Sequence, residues 1–181
     1  MVLRWFSRLF LAVLVCGAVL SGAAHAQQDP ENTLYLDLEY GRVVIALRPD
    51  LAPKHVARIK ELVRQKFYDG LVFHRVIEGF MAQTGDPRGT GTGGSGQKLP
   101  AEFSREPFQR GTVGMARAQD PNSGDSQFFI MFAPNDYLNG KYTVFGRVTA
   151  GMEVVDRIKP GTDDSGVVDQ PDKIIKATLG Q

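Results

Sequence analysis

The sequence predicts a mainly β domain, because segments of strand character are numerous and only two segments have helical character. Apolar residues alternate with polar ones in several short segments, as in strands with one buried face. In two other segments the apolar residues recur at helical spacing. Many short strands with two helices fit a closed antiparallel barrel whose open ends the helices cover. The pattern alone does not separate a barrel from a sandwich.

Residues 1–26 have the features of a secretory signal peptide. Arg4 and Arg8 precede an apolar run at residues 9–20, and Ala24-His25-Ala26 places small residues before the expected cleavage point. The run is short for a membrane span, so a retained anchor is the alternative and no membrane segment is expected in the mature chain. We expect export to the periplasm, with secretion from the cell as the other destination.

The chain that remains after cleavage is close to neutral and has no cysteine. Two of the 21 Lys and Arg residues lie in residues 1–26 and none of the 20 Asp and Glu residues do, so the formal net charge changes from +1 to −1. Cys16 leaves with the signal peptide, so the core must stabilise the fold without disulfides. The absence of a basic run gives no indication of nucleic-acid binding.

We expect a flexible segment at residues 27–32 and one domain at residues 33–181, acting as a monomer. The two histidines left after cleavage, His55 and His74, are too few for most histidine-based metal sites, and no cofactor is expected.

The first part of the domain predicts a hairpin followed by a helix. Apolar residues alternate at 34–38 and at 43–47, on either side of a turn at Tyr40-Gly41. Pro53 then begins a helix, because a proline at the first helical position loses no hydrogen bond. Val56, Ile59 and Val63 form its apolar stripe, which we expect to lie on the sheet.

The segment at residues 73–86, with the sequence FHRVIEGFMAQTGD, predicts two short strands. Residues 73–77 and 81–84 are too apolar for an exposed loop, and Glu78-Gly79 can turn the chain between them. Arginine is rarely fully buried without a partner. Arg75 is therefore expected at the rim of an apolar surface with its guanidinium held in place. A surface arginine on an edge strand is the alternative.

Residues 89–96 form a glycine-rich segment, called the glycine loop below. Gly89, Gly91 and Gly94 formally match the pattern G-x-G-x-x-G, but a dinucleotide site needs a helix that begins in the loop. Ser95-Gly96 and Pro100 follow instead, so nucleotide binding is only the alternative. We expect the loop to let the backbone pass close to a bound peptide, because glycine has no obstructing side chain.

The second half of the domain predicts further strands and a second helix. The expected elements, in order, are strands at 102–103, 112–116 and 127–131, a turn at 135–139, a strand at 142–149 with a bulge at Gly146, a helix at 152–158 that Pro160-Gly161 stops, an acidic loop at 162–172 and a strand at 173–179.

Four stretches resemble the signatures of the cyclophilins, the cyclosporin-binding prolyl cis/trans isomerases. They are the segment 73–86, Gly91-Thr92-Gly93-Gly94, Gly114-Met115-Ala116-Arg117-Ala118 with residues 122–130, and residues 137–142 with Val144-Phe145-Gly146. The similarity runs from about Thr33 to the end of the chain. It implies an eight-stranded antiparallel barrel capped by two helices. It also implies activity on proline-containing unfolded or partly folded polypeptides.

The resemblance implies site residues position by position. Arg75 would be the principal catalytic residue, with Phe80 and Gln83 beside it. The expected peptide-binding residues are Met81, Gly91, Ala116, Arg117, Gln127, Phe129, Tyr137, Leu138 and Tyr142. Apolar residues on strands are often simply core, and Gln83 and Gln127 could instead bind buried backbone groups.

Three positions depart from the family pattern. Arg117 stands where the family usually has an asparagine whose backbone contacts the peptide. Tyr137 replaces the tryptophan associated with tight cyclosporin binding, and Tyr142 replaces a pocket histidine. The two tyrosines resemble the bacterial branch of the family, so only weak binding of cyclosporin is expected.

The chemistry that such a site requires is modest. Partial double-bond character gives the amide a rotational barrier of about 18–20 kcal/mol. In the twisted amide the prolyl nitrogen recovers its lone pair, so a donor aimed at that nitrogen stabilises the transition state preferentially. No bond breaks and no proton is transferred, so His74 is expected to be structural or solvent-facing. A protein that binds proline peptides without catalysis is the alternative function.

Overall fold

The computed structural model describes residues 29–180, so the predicted signal peptide lies outside the described residues. Within that range the elements are β1 (Thr33–Leu38), β2 (Gly41–Leu47), α1 (Pro53–Arg64), β3 (Arg75–Ile77), β4 (Met81–Thr84), β5 (Thr112–Met115), β6 (Phe128–Met131), β7 (Val144–Ala150), α2 (Met152–Val155) and β8 (Lys176–Leu179). Three short 3-10 helices at Pro30–Asn32, Pro121–Ser123 and Asp136–Leu138 complete the described chain.

All eight strands belong to one curled sheet in which every neighbouring pair is antiparallel. The strand order is β3-β4-β6-β5-β7-β2-β1-β8. Irregular segments join the two ends of the sheet: Phe73 N donates to Asp172 O at 2.8 Å and Val76 N donates to Gly166 O at 2.7 Å. The predicted eight-stranded antiparallel fold with two helices is confirmed, and it closes through loop segments rather than through pairing of β3 with β8.

The two faces of the sheet carry separate apolar clusters, because successive side chains of a strand point to opposite faces. The larger cluster fills the interior of the curled sheet and includes Ala82, Ile130 and the buried stripe of α1. The smaller cluster lies on the outer face and is formed by Met81, Phe108, Phe129, Met131, Leu138 and Val144. Within the part of the chain that is described, no helix is both long and apolar enough to cross a membrane.

Several predicted elements differ in extent from the observed ones. The strand expected at residues 73–77 is regular only from Arg75, because Phe73 pairs with the irregular segment at Asp172. The second helix ends at Val155, and the chain continues as turns and a bend to Ile158. In β7 the register shifts beside Gly146, since Val113 pairs with Gly146 and Gly114 with Val144.

The segment predicted to be flexible contains regular structure where it is described. Pro30–Asn32 form a 3-10 helix, and the Asp29 side chain caps it by accepting a hydrogen bond from Glu31 N. Gly180 N then donates to Thr33 O at 2.8 Å. The beginning and the end of the described chain are thus tied together.

The strand expected at residues 102–103 is absent from the described chain, where Glu102 instead binds the first turn of α1. Its carboxylate accepts hydrogen bonds from Lys54 N at 3.1 Å and His55 N at 3.0 Å, the first free N–H groups of α1. The same carboxylate lies 2.6 Å from Nδ1 of the buried His55 ring. Glu102 is therefore a long-range cap of α1, which explains why its segment follows the helix end rather than a neighbouring strand.

Candidate active site

The register of four neighbouring strands brings the central residues of the site into one row. Arg75 on β3 pairs with Gln83 on β4, Gln83 pairs with Phe129 on β6, and Phe129 pairs with Gly114 on β5. Met81 lies on the same face as Gln83 because it is two residues away on β4. The pleat of the sheet therefore presents a guanidinium, an amide and an aromatic ring side by side on the outer face.

These side chains surround a cavity of about 360 Å³, called the apolar pocket below. Its walls are formed by Arg75, Phe80, Met81, Gln83, Ala116, Arg117, Phe129, Asn135, Tyr137, Leu138 and Tyr142. A Cβ atom at position 114 would lie 2.6 Å from the rings of both Phe108 and Phe129. Glycine at this position therefore allows the two rings to stack, with centroids 5.7 Å apart. The Phe129 ring forms the floor of the pocket, and the fully buried Phe108 ring packs against it.

The guanidinium of Arg75 is held at the rim of the apolar pocket. Nε donates to Ser165 O at 2.9 Å, and Nη1 lies 3.4 Å from Gln83 Oε1, a long hydrogen bond. Among residues 29–180, no partner is found for Nη2. Arg75, which is half-buried and lies on β3 at the edge of the sheet, thus has two bonded nitrogens and one donor without a partner in the described chain, so its catalytic role stays a prediction.

A second cavity of about 530 Å³ adjoins the first and shares Gln83, Ala116 and Arg117 with it. The remaining wall of this glycine-loop cavity comes from Gly91, Thr92, Gly93, Gly94, Gly96, Lys98, Ala118, Ser123, Asp125 and Gln127. Gln127 connects the two cavities: its Nε2 donates to Gly91 O and Gly93 O, and its Oε1 accepts from Gln83 Nε2 at 2.9 Å. Gln127 thus binds backbone groups of the glycine loop, but these are not the buried groups of the alternative, since Gly91 is exposed and Gly93 half-buried.

Two carboxylates hold the glycine loop from behind. Asp86 is 1% exposed and accepts hydrogen bonds from the backbone N–H groups of Arg88, Thr90 and Gly93, at 2.8 to 3.1 Å. Asp125 accepts from Ser95 N and Gly96 N in the same way. A Cβ atom at Gly93 would overlap Oδ1 of Asp86, so only glycine lets the loop close on the carboxylate. The loop is therefore a fixed wall.

The environment of Asp86 favours its charged form. Burial alone would raise the pKa of this carboxyl, but the N–H groups of Gly93, Arg88 and further loop residues stabilise the carboxylate and bring the pKa below its ordinary value. The negative charge is thus part of the loop structure at neutral pH.

The glycine loop does not have the structure of a nucleotide site. Residues 85–111, all of which are described, contain no helix, and β5 follows them. The N–H groups that would bind a phosphate are already bound to the Asp86 and Asp125 carboxylates. In the described range, no group of three or more His, Cys, Asp or Glu side chains is placed to hold a metal ion.

His74 is buried behind the site and does not face solvent, so the solvent-facing alternative is wrong. The residue is 6% exposed, and neither ring nitrogen has a hydrogen-bond partner within residues 29–180. Burial lowers the pKa of the imidazole, although the nearby Asp86 charge opposes that change. His74 precedes Arg75 on the strand and points away from the apolar pocket, as the alternation of a strand requires.

All twelve residues that the sequence singled out line one of the two cavities. Ten of them surround the apolar pocket, whereas Gly91 and Gln127 belong to the glycine-loop cavity. Several lining or anchoring residues were not foreseen: Lys98, Ser123, Asp125, Asn135 and Ser165. Asn135 is the first residue of the predicted turn at 135–139 and could have been included. Ser165 contributes a backbone carbonyl, which no side-chain motif can reveal.

Comparison with known proteins places the chain in a family. The family described as cyclophilin type peptidyl-prolyl cis-trans isomerase/CLD matches residues 33–179. A probable peptidyl-prolyl cis-trans isomerase of Brucella suis is 56% identical over 96% of each chain. Peptidyl-prolyl cis-trans isomerase B of Bacillus subtilis is 45% identical over 72% of this chain and 92% of that protein.

Solved structures agree with the sequence comparisons. A cyclophilin type peptidyl-prolyl cis-trans isomerase of Cryptosporidium parvum, in a crystal structure determined in the presence of the dipeptide Ala-Pro, has a TM-score of 0.76 at 29% identity. The similarity covers 82% of this chain and 99% of that chain. A cyclophilin of Hirschia baltica has a TM-score of 0.75 at 30% identity, over 83% of this chain and 74% of that chain. The chain therefore belongs to the cyclophilin family of peptidyl-prolyl cis-trans isomerases.

Proposed function

We propose that this chain accelerates rotation about Xaa–Pro bonds by a hydrogen bond from Arg75 to the prolyl nitrogen. The observation that carries the proposal is the anchored guanidinium at the rim of the apolar pocket. Ser165 O and Gln83 Oε1 accept hydrogen bonds from Nε and Nη1, Arg75 lines the pocket, and Nη2 is the donor proposed for the prolyl nitrogen. A cavity of about 360 Å³ with an aromatic floor is large enough for a pyrrolidine ring.

The energetics favour this arrangement over any covalent mechanism. In the planar amide the nitrogen lone pair is delocalised into the carbonyl group, and in the twisted amide it is localised on the nitrogen, where it can accept a hydrogen bond. A donor at the nitrogen therefore binds the transition state more strongly than the ground state. The walls formed by Phe80, Met81 and Phe129 exclude water, which strengthens a charged hydrogen bond. An arginine that is held before the substrate arrives does not have to reorganise during the reaction.

Gln83 is proposed to act through Arg75 as well as on the peptide. Its Oε1 faces Nη1 of Arg75, while its Nε2 is bound to Gln127. A proline in the apolar pocket would leave the preceding residues of the peptide near the glycine-loop cavity, since the two cavities share Gln83, Ala116 and Arg117. The Ala-Pro dipeptide present with the Cryptosporidium parvum relative supports a proline peptide as the ligand.

The substrates are proposed to be exported proteins that are still folding, in the periplasm. This proposal comes from residues 1–26, whose composition is that of a signal peptide. Fractionation of cells that express the full chain should place a protein cleaved after Ala26 in the periplasmic fraction. A full-length protein that stays in the cytoplasmic fraction would contradict it.

The decisive experiment for catalysis is a chromogenic Xaa–Pro peptide assay with the Arg75→Ala variant. We expect kcat/KM to fall by about 100-fold or more, as when one preorganised donor is removed from an active site. Peptide binding should survive, because the apolar walls remain. Arg105→Ala is the matched control: Arg105 is exposed, lines neither cavity and should leave the rate unchanged.

Two outcomes would refute the proposal in different ways. Equal rates with and without the wild-type protein would leave a protein that binds proline peptides without catalysis. Full activity of Arg75→Ala would leave the isomerase but remove Arg75 from its mechanism. Arg75→Lys adds a finer test, because lysine keeps the charge and loses the planar fork. We expect it to be nearly as inactive as Arg75→Ala.

A further inference from the structure

Arg117 is the second arginine at the site, and its guanidinium is already occupied by the protein. Nε and Nη2 both donate to Lys141 O, at 3.1 and 3.0 Å. Nη1 donates to Ala118 O at 2.9 Å and to Gln119 O at 3.1 Å. All three nitrogens are therefore bound to backbone carbonyls, and these carbonyls belong to two different segments of the chain.

The same guanidinium covers one face of a pocket wall. Its central carbon lies 4.5 Å from the centroid of the Tyr142 ring, within the range of a cation–π contact. The Tyr142 ring in turn packs against the Phe129 ring in an edge-to-face arrangement, with centroids 5.9 Å apart and planes at 82°. Arg117, Tyr142 and Phe129 thus form consecutive layers that lead from the rim to the floor of the apolar pocket.

We propose that Arg117 is a positioning residue, which fixes the Tyr142 wall of the apolar pocket and joins the two segments on either side of it. The inference deepens the proposed function and rests on it. The peptide contact expected of Arg117 is a main-chain contact and stays a prediction, and the side chain is occupied with the carbonyls of Lys141, Ala118 and Gln119. The guanidinium acts on the substrate through the ring that it covers.

Only an arginine suits this arrangement. The planar fork carries five N–H donors on three nitrogens, so it can bond carbonyls on both segments while its face rests on a ring. A lysine at this position has one nitrogen, so it cannot bond Lys141 O together with the carbonyls of Ala118 and Gln119 in its own segment while it also lies over the ring. Arg117 and Tyr142 are also two of the three positions at which the chain departs from the family pattern, and here they contact each other. A change at one of them removes the partner of the other.

A double-mutant cycle tests the coupling. We expect Arg117→Ala and Arg117→Lys each to lower kcat/KM for an Xaa–Pro peptide by about three- to tenfold, mainly through a higher KM, because the wall loosens while Arg75 stays anchored. In a Tyr142→Leu background, the further loss on Arg117→Ala should be less than about twofold. Arg117→Lys with wild-type kinetics, or losses that simply add, would overturn the proposal.

The matched control is Arg157→Ala. Arg157 also lies over a tyrosine ring, that of Tyr40 at 4.0 Å, but it lines neither cavity. Its removal should leave kcat and KM unchanged. If Arg157→Ala lost as much activity as Arg117→Ala, the loss would be a general effect of removing an arginine–tyrosine contact. That result would contradict a specific role for Arg117.

A second measurement does not depend on activity. In a ¹⁵N NMR spectrum, the Nε–H of Arg117 should exchange slowly with water because it is bonded to Lys141 O, and its signal should be absent from Arg117→Lys. Fast exchange, as for a free arginine, would overturn the proposal. If the wild-type protein lacked isomerase activity, the proposed function would fail while a protected Arg117 signal still supported the bonded guanidinium.

Discussion

The two walls of the site are built in different ways. The strand wall, formed by Met81, Gln83 and Phe129, is positioned by the register of β4 and β6 and by packing in the outer apolar cluster. The glycine loop is positioned by hydrogen bonds from its backbone N–H groups to the carboxylates of buried Asp86 and half-buried Asp125. Side-chain burial therefore determines the first wall, and hydrogen bonds determine the second. Substitution of one central residue in each wall, Phe129 in the strand wall and Asp86 in the glycine loop, should therefore have different effects on stability.

The largest effect on stability is expected for Phe129→Ala in the strand wall. Phe129 is 5% exposed and packs against Phe108 and Tyr142, so truncation leaves a cavity between them. We expect the free energy of unfolding to fall by about 3–5 kcal/mol in urea titrations. Phe103→Ala is the control, since Phe103 is 42% exposed and should change stability little. A loss below about 1 kcal/mol at Phe129 would mean that packing does not set this wall.

A smaller and more local effect is expected for Asp86→Asn in the glycine loop. The variant keeps the size of the side chain, but one oxygen becomes an NH₂ group that faces the loop N–H donors. We expect a loss of about 1–3 kcal/mol, with faster hydrogen exchange at Thr90 and Gly93 than at the strands. Asp164→Asn is the control, because Asp164 is exposed.

The pH dependence of stability identifies the same carboxylate. The folded-state pKa of Asp86 lies below the ordinary value of 3.8, so its stabilising contribution is present above that value and is lost as the pH falls through the folded-state pKa. The wild-type protein should therefore lose stability more steeply than Asp86→Asn below about pH 4. Equal slopes in the two proteins would contradict the bonding of the loop to a charged Asp86.

The smallest effect is expected where the two walls meet, at His74. This residue precedes Arg75, and its ring lies 3.7 Å from where a Cβ atom at Gly91 would be. Because both ring nitrogens lack partners in the described chain, His74→Leu should change the unfolding free energy at pH 7 by less than about 1 kcal/mol. His55→Leu should cost more, since Glu102 then loses its ring partner.

The difference in stability between the wild-type protein and His74→Leu should change as the pH is lowered. Burial lowers the pKa of His74 below 6.5 in the folded protein, so the unfolded chain binds a proton that the folded one does not as the pH falls through 6.5. Wild-type stability should therefore decrease between pH 7 and pH 5 by more than that of His74→Leu. A wild-type decrease no larger than that of the variant would show that His74 is not held neutral.

The strand wall could be predicted from sequence, because its determinants are local. The apolar character of residues 81–84 and of residues 127–131 indicates both strands, and Pro53 marks the first residue of α1. The site residues on these strands came from the resemblance to a family. Register then places Arg75, Gln83 and Phe129 in one row without further information.

The loop wall could not be predicted, because its determinants are distant in sequence. Nothing near Asp86 indicates that its carboxylate binds three N–H groups of a loop, and nothing near Gln127 indicates its bonds to Gly91 and Gly93. Glu102 was misinterpreted for the same reason: it caps a helix that begins 49 residues earlier, at Pro53. Hydrogen bonds between distant polar groups leave no periodic pattern.

The carbonyl that anchors Arg75 belongs to Ser165, 90 residues further along the chain. At a synthesis rate of about 5–20 residues per second, a ribosome adds Ser165 about 5 to 18 s after Arg75. During that interval the guanidinium exists without its anchor, however well the strands around it have formed. Synthesis of the segment that carries Ser165, rather than emergence of β3, is therefore the event after which the Arg75 guanidinium can take its anchored position.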